Sequence, residues 1–338
     1  MKTRALSLEQ ITVLGRKADP VILHALSHGN ATDFLPCLRY HFRVGGKRMR
    51  AAMVILSCLA AEGEVAKSIL PAAAVEMIHN YSLVIDDIID EGNVRRGVPT
   101  VRRKFGESTS ILIAMSYRET LDDIIQECNH REVIRPLCVQ AMKEIIDGER
   151  LDLQFEQAGR DEPFLQDHRI SQPVFQTYLK MIGKKTASLF RAAAMIGAHS
   201  ADAGDKVVDQ FGAFGWKSGL AFQIMDDVLD IFGRGTGKQK AKDIIEHKLG
   251  NAPVLIAIKY LPKRQGDELM RILKSPQVSQ DKASRAVELI SKTPAEIECK
   301  EVANRYLQEA KEHLSSVRDS KYTASLSDLA DRVVSRSF

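Results

Sequence analysis

Proline and glycine punctuate this chain at intervals that leave stretches of helical length between them. They cluster at Gly45-Gly46, Gly92 to Pro99, Gly148, Gly159 to Pro163, Gly233 to Gly237 and Gly250 to Pro253. The intervening stretches include Pro71 to Asp90, Thr109 to Glu127, Arg131 to Phe155, Val174 to His199, Val207 to Phe232 and Pro253 to Tyr260. Their apolar residues recur at helical spacing, and no run of short alternating segments suggests strands. Pro71 is placed in a first helical turn, where its missing N–H costs nothing. From Gly266 to Phe338 the chain reads as further amphipathic helices. No composition shift marks a boundary. The expectation is a single all-α domain over residues 1–338, with ten or more helices.

Composition narrows the function. Aromatic residues make up only 6% of the 338, which suits helices better than a β-sandwich. A net charge of +4 is no footprint for nucleic acid. The cysteines at 37, 58, 128, 138 and 299 are odd in number and scattered, without CxxC spacing. That argues against a disulfide framework or zinc site and for a reducing cytosol. The longest apolar runs, such as Ala51 to Leu56 and Ala72 to Val75, fall short of a membrane span. No signal-peptide pattern follows Met1, so a cytoplasmic chain without stable membrane insertion is expected.

Two segments carry the chemistry: Asp86-Asp87-Ile88-Ile89-Asp90 and Asp226-Asp227-Val228-Leu229-Asp230. At about 100° per residue, Asp86 and Asp90 lie about 40° apart, and Asp87 lies about 60° beyond Asp90. Each triplet therefore falls on one side of its helix. Like charges so spaced repel. Each triplet also follows an apolar stretch, where carboxylates need a compensating cation. Oxygen-only ligands suit Mg2+, which favours carboxylates together with substrate phosphates. The ordinary alternative is a solvated acidic face. Asp122-Asp123, among Glu119, Gln126 and Glu127, reads that way.

Basic motifs flank these aspartates. Gly45-Gly46-Lys47-Arg48-Met49-Arg50 reads as a glycine turn entering a helix that bears three cations, a pattern suited to diphosphate oxygens. It lacks the GxxxxGK[ST] spacing of a P-loop. Arg95-Arg96-Gly97 follows the first acidic motif. Lys184-Lys185-Thr186 opens an apolar stretch, and Lys238, Lys240, Lys242 and Lys248 follow the second motif. His79, taken alone, reads as a core histidine.

Taken together, the ordered motifs GGKRMR, EMIHNYSLVIDDIIDEGNVRRGVPTVRRKFG, IIDGERLDL, YLKMIGKKTASLF and GLAFQIMDDVLDIFG resemble the trans-isoprenyl diphosphate synthases, the head-to-tail polyprenyl synthetases. The resemblance runs from about Cys37 to the C-terminus. It implies a helical bundle with the acidic motifs facing a central cavity. Lys47, Arg50, His79 and Arg96 would hold the diphosphate of isopentenyl diphosphate. Asp86, Asp90 and Asp226 would ligate Mg2+ bridged to an allylic diphosphate (dimethylallyl, geranyl or farnesyl). Asp230 joins that candidate metal set, although it and Asp87 are expected to support more than to coordinate. Arg95, Lys185, Gln223, Lys238 and Lys248 would hold the allylic diphosphate's oxygens, with Thr186 near the reacting carbon. The proton lost after condensation would pass to the released diphosphate, so no dedicated base is expected. A homodimer is implied.

Product length would be set by Tyr81, five residues before the first motif, with Ile78 and Met115 also in the pocket. A bulky Tyr81 implies a short product, C20 ahead of C15 or longer chains. The rival readings are a class I terpene cyclase, whose Asn/Ser/Glu metal motif is missing near Asp226, and a non-catalytic subunit, which would tend to lose aspartates. The chain departs from the family pattern at Ala114-Met115, at Arg102, and in the loop from Gly237 to Lys248 with the following Leu249 to Pro253.

Overall fold

The computed structural model describes residues 4–172, 174–233 and 241–335. They are helical from Leu8–Arg16 to Lys321–Ser335. Among the described residues, strand pairing is confined to a two-stranded antiparallel ribbon, Val94–Arg95 with Val98–Pro99, and an isolated bridge between Glu156 and Lys248. The fold class is all-α, as the periodicity implies.

The chain divides into two compact units. The first comprises Met1–Lys143, Leu189–Trp216 and Ala310–Asp331; the second comprises Glu144–Ser188, Lys217–Glu309 and Arg332–Phe338. In the first unit, the Val65–Ile89 helix packs against Met49–Ala60 and Glu107–Gln126, and Leu8–Arg16 packs against Met49–Ala60. Ala72, Ala73, Ala74 and Val75 are all fully buried, so the helix is enclosed all round at that level. Val65–Ile89 is long and apolar enough to cross a membrane, a property that the short contiguous apolar runs do not reveal. Yet 61% of its most apolar window lies buried inside the protein, as befits a core helix.

Three local expectations are corrected. Pro71 sits inside the Val65–Ile89 helix, not in its first turn. The helix starts six residues earlier than proline punctuation suggests, and Pro71 is enclosed by the core. The loop after the first acidic motif contains the ribbon, whose turn residues Arg96 and Gly97 both have positive φ, 56° and 78°. That is the type I′ hairpin requirement, and Gly97 meets it at no steric cost. Arg48, with φ 51°, caps the Met49–Ala60 helix, so Lys47 and Arg48 precede that helix and only Arg50 lies within it.

In the second unit, Ala252–Tyr260 packs against Phe175–Ile182, Lys263–Leu273 and Gln280–Ser291. Asn251 caps it by accepting from the Val254 amide at 3.3 Å, with Pro253 in the first turn. The stretch read as one helix from Val174 to His199 contains a π turn, Gly183–Ala187.

Candidate functional site

The first acidic motif closes the Val65–Ile89 helix, with Asp90 as its C-cap. The negative end of the helix dipole disfavours carboxylates there and favours cations. The ribbon supplies one. Arg95 donates from Nε to both oxygens of Asp87 at 3.0 Å and from Nη2 to Asp86 at 2.7 Å. Those two carboxylates hold the Arg95 guanidinium above its ordinary range, against the opposing effect of burial. Asp87 is buried, whereas Asp86 and Asp90 are half-exposed. Asp87 therefore anchors the ribbon, and Asp86 and Asp90 are the members that solvent reaches.

Beside this motif lies a cationic cluster. Arg50 donates from Nη1 to Nε2 of His79 at 3.1 Å, and its guanidinium lies 4.8 Å from the centre of the Phe190 ring. Burial and the neighbouring Arg50 and Arg96 charges hold His79 far below the ordinary histidine range, so it accepts as a neutral ring. Arg96 donates to the Gly45 carbonyl at 2.5 Å. A Cβ on Gly46 would lie 2.5 Å from Arg48 Nη1 and 2.7 Å from Arg96 Nη1, so a side chain there would displace both guanidiniums. Lys47 is exposed. Arg48 is buried and donates to Asp19 at 2.7 Å and to the carbonyls of Gly45 and Phe42, which makes it a structural cation.

His41 lines a small enclosed space with Asp87, Arg95 and Arg96. Burial first, then the Arg96, Arg95 and Arg48 charges, lower its pKa to about 3. The unfolded chain takes up this proton below pH 6.5, while the folded chain resists it down to about 3. Stability from this group is therefore complete above 6.5 and is lost as pH falls towards 3, at about 1.4 kcal/mol per unit of pH. Urea unfolding between pH 7 and 4.5 is expected to show a flatter acid limb in His41→Phe than in the wild type. Parallel limbs would contradict this.

The second acidic motif lies in the last turns of the Asp205–Phe232 helix. Asp227 is buried and fully engaged. It accepts from the Tyr178 hydroxyl at 2.7 Å, the Gln223 amide at 3.0 Å and the Ala252 backbone amide at 3.0 Å. Asp230 accepts from the backbone amides of Lys242 and Asp243 at 3.0 and 3.2 Å. Burial, then the Asp243 charge, raises Asp227 well above the carboxylate range and pushes Asp230 up to about 8. Asp243 is itself raised by burial and accepts from Asn251 at 2.9 Å. Acids gathered this closely favour a proton or a cation. All the donors are oxygens, which fits Mg2+. Among the described residues, no group of three or more His, Cys, Asp or Glu is arranged to hold a metal by itself. Mg2+ ordinarily takes one or two carboxylates and completes its shell with waters and phosphates.

The π turn brings Lys185 and Thr186 into the same unit's polar centre. Thr186 donates to Oε1 of Gln223 at 2.7 Å, and Gln223 in turn donates to Asp227. Lys185 reaches Asp152 at 2.6 Å and Glu149 at 2.7 Å; Lys248 reaches Asp152 at 3.2 Å and Glu246 at 3.3 Å. A π bulge in an otherwise α-helical run often marks a functional position.

Of the expected pocket residues, Ile78 is fully buried, Tyr81 is half-buried, and Met115 is 60% exposed. Lys238 and Lys240 lie outside the described residues. Asp123 is exposed, and half-exposed Asp122 pairs with Arg135 at 3.2 Å, matching the solvated reading of that pair. Glu149, Asp152, Tyr178 and Asp243 are site residues beyond those the sequence points to. The acids Glu149 and Asp152 sit in the quoted IIDGERLDL motif, and that was the available signal.

Comparison with known proteins gives a consistent result. The family model for polyprenyl synthetases matches residues 33–290. The chain is 33% identical over 307 residues to a geranylgeranyl diphosphate synthase of Methanosarcina mazei, covering 89% of each chain. Its structure is similar to that of geranylgeranyl pyrophosphate synthetase from Pyrococcus horikoshii, with TM-score 0.86, 27% identity and 97% of each chain covered. It is also similar to a polyprenyl synthase from Caulobacter crescentus complexed with calcium and isoprenyl diphosphate, with TM-score 0.85 and 26% identity, covering 98% of this chain and 99% of that one.

Proposed function

Because this chain belongs to the polyprenyl synthetase family, we propose that it is a Mg2+-dependent prenyltransferase joining isopentenyl diphosphate to an allylic diphosphate, with geranylgeranyl diphosphate (C20) as the main product. The observation that carries this is the duplicated carboxylate set. Each copy closes a long helix, and each has one aspartate locked into structure (Asp87, Asp227) beside others that solvent reaches. The family match runs through segments of both units, which supports their working as one synthetase domain.

Asp86 and Asp90 in the first set, and Asp226 with Asp230 in the second, would hold the metal. Mg2+ held there would supply positive charge against that of the departing diphosphate. Arg95, Lys185, Gln223, Lys238 and Lys248 take the allylic diphosphate oxygens, where fixed cations stabilise the same charge. Lys47, Arg50, His79 and Arg96 take the diphosphate of isopentenyl diphosphate. Neutral His79 orients the Arg50 fork and leaves its remaining N–H groups for a phosphate. Thr186 gives its proton to Gln223, so its oxygen lone pairs are what it offers a developing cation.

The exposed apolar residues Ile111, Leu112 and Met115 share one side of the Glu107–Gln126 helix, which suits a second copy of the chain and hence a homodimer. Five free cysteines suit a reducing cytoplasm.

The test is purified protein with Mg2+, isopentenyl diphosphate and, in turn, dimethylallyl, geranyl and farnesyl diphosphates, followed by product sizing. A C20 product supports the proposal, and no elongation from any primer refutes it. Within that assay, Tyr81→Ala is expected to lengthen the product by at least one C5 unit. An unchanged distribution would place the pocket floor elsewhere.

A further inference from the structure

We propose that Asp152 is a positioning residue for the allylic diphosphate, holding Lys185 and Lys248 as one paired cation. This rests on the assignment of those lysines to that diphosphate. The geometry is specific. The three side chains come from separate elements: the Arg131–Phe155 helix, the π turn, and the segment after Lys242–Ile245. One oxygen of Asp152, Oδ2, meets both ammonium groups, at 2.6 and 3.2 Å. The Asp152 and Lys248 side chains are each 8% exposed, so neither can follow its partner into solvent. Each lysine also has a second acid that its partner does not share. Glu149 lies 2.7 Å from Lys185, and Glu246 lies 3.3 Å from Lys248.

With Lys242 also paired to Glu246 at 2.8 Å, three lysines against three acids leave little net attraction for an incoming diphosphate unless an acid yields. Asp152 is shared, so it cannot be released without freeing both lysines. Glu149 and Glu246 each meet one lysine of this pair and are more exposed, at 14% and 18%, and Glu246 also meets Lys242. Exchange of these outer acids for phosphate oxygens keeps the lysine spacing, because Asp152 still fixes it. The backbone enforces the same arrangement. Gly148, one residue before Glu149, admits the π turn so closely that a Cβ would lie 2.2 Å from the Lys185 amide nitrogen. The bridge between Glu156 and Lys248 ties the far end of the helix to the lysine loop.

The test compares wild type, Asp152→Asn and Asp152→Glu. Asn keeps the size and loses the charge; Glu keeps the charge on a longer arm. In Asp152→Asn the KM for the allylic diphosphate should rise at least tenfold, while that for isopentenyl diphosphate stays within about twofold. Asp152→Glu should fall between the two, and it serves if the Asn variant does not fold. Calorimetry with Mg2+ and inorganic diphosphate should show a matching loss of affinity. Equal changes in both KM values, or no change in either, would overturn the proposal. A wild type that binds diphosphate but makes no product would refute the synthase reading alone, and the calorimetric comparison would still decide the role of Asp152.

Discussion

If the proposed metal set is right, Asp86→Ala and Asp226→Ala are each expected to lower kcat/KM by roughly 10³-fold or more, about 4 kcal/mol of transition-state stabilisation, and to leave the fold intact. Both residues are half-exposed, so truncation leaves no cavity; Asp86→Ala relieves repulsion from its neighbouring aspartates and gives up one contact to Arg95. Asp87 keeps its contact with Arg95 in the first variant, and Asp227 keeps its three donors in the second. The readouts are steady-state kinetics at saturating Mg2+ and thermal unfolding. Activity within tenfold of wild type in either variant would remove that aspartate from the metal set.

Gly148→Ala is expected to lose about 1–3 kcal/mol of stability, as overpacked sites do, and to lose activity beyond what unfolding explains. The added Cβ would fall 2.2 Å from the Lys185 nitrogen and 2.6 Å from its Cα. These are backbone atoms, so no side-chain rotation relieves the clash. The π turn must move, and it carries both Lys185 and Thr186. Urea unfolding gives the first effect, and kcat measured under fully folded conditions gives the second. A variant as stable and active as wild type would show that the π turn tolerates displacement.

These effects depend on features of unequal legibility in the sequence. The two DDxxD sets and their helices were readable, because helical spacing alone puts three carboxylates on one side. The Arg131–Phe155 helix was readable to its end residues. Pro71 misled, because tertiary burial carries a helix through a proline that local rules place at its start. The ribbon at Val94–Arg95 and Val98–Pro99 was too short for alternation to register; only its turn residues betray it. The division of labour within each aspartate set was also hidden. Asp227 is locked by Tyr178 and Ala252, which are 49 and 25 positions away in the chain. Asp152 meets Lys185 from 33 positions away. Amphipathic patterning says which side of a helix an acid occupies, but not which cation from another element meets it.

On the proposed function, the aspartates bind a diphosphate through divalent metal. Calorimetric titration with an unreactive allylic thiolodiphosphate, with Mg2+ and then with excess chelator, tests it most directly. Binding is expected to be at least about 100-fold weaker without metal, a difference of about 2.7 kcal/mol. Equal affinity under both conditions would contradict it.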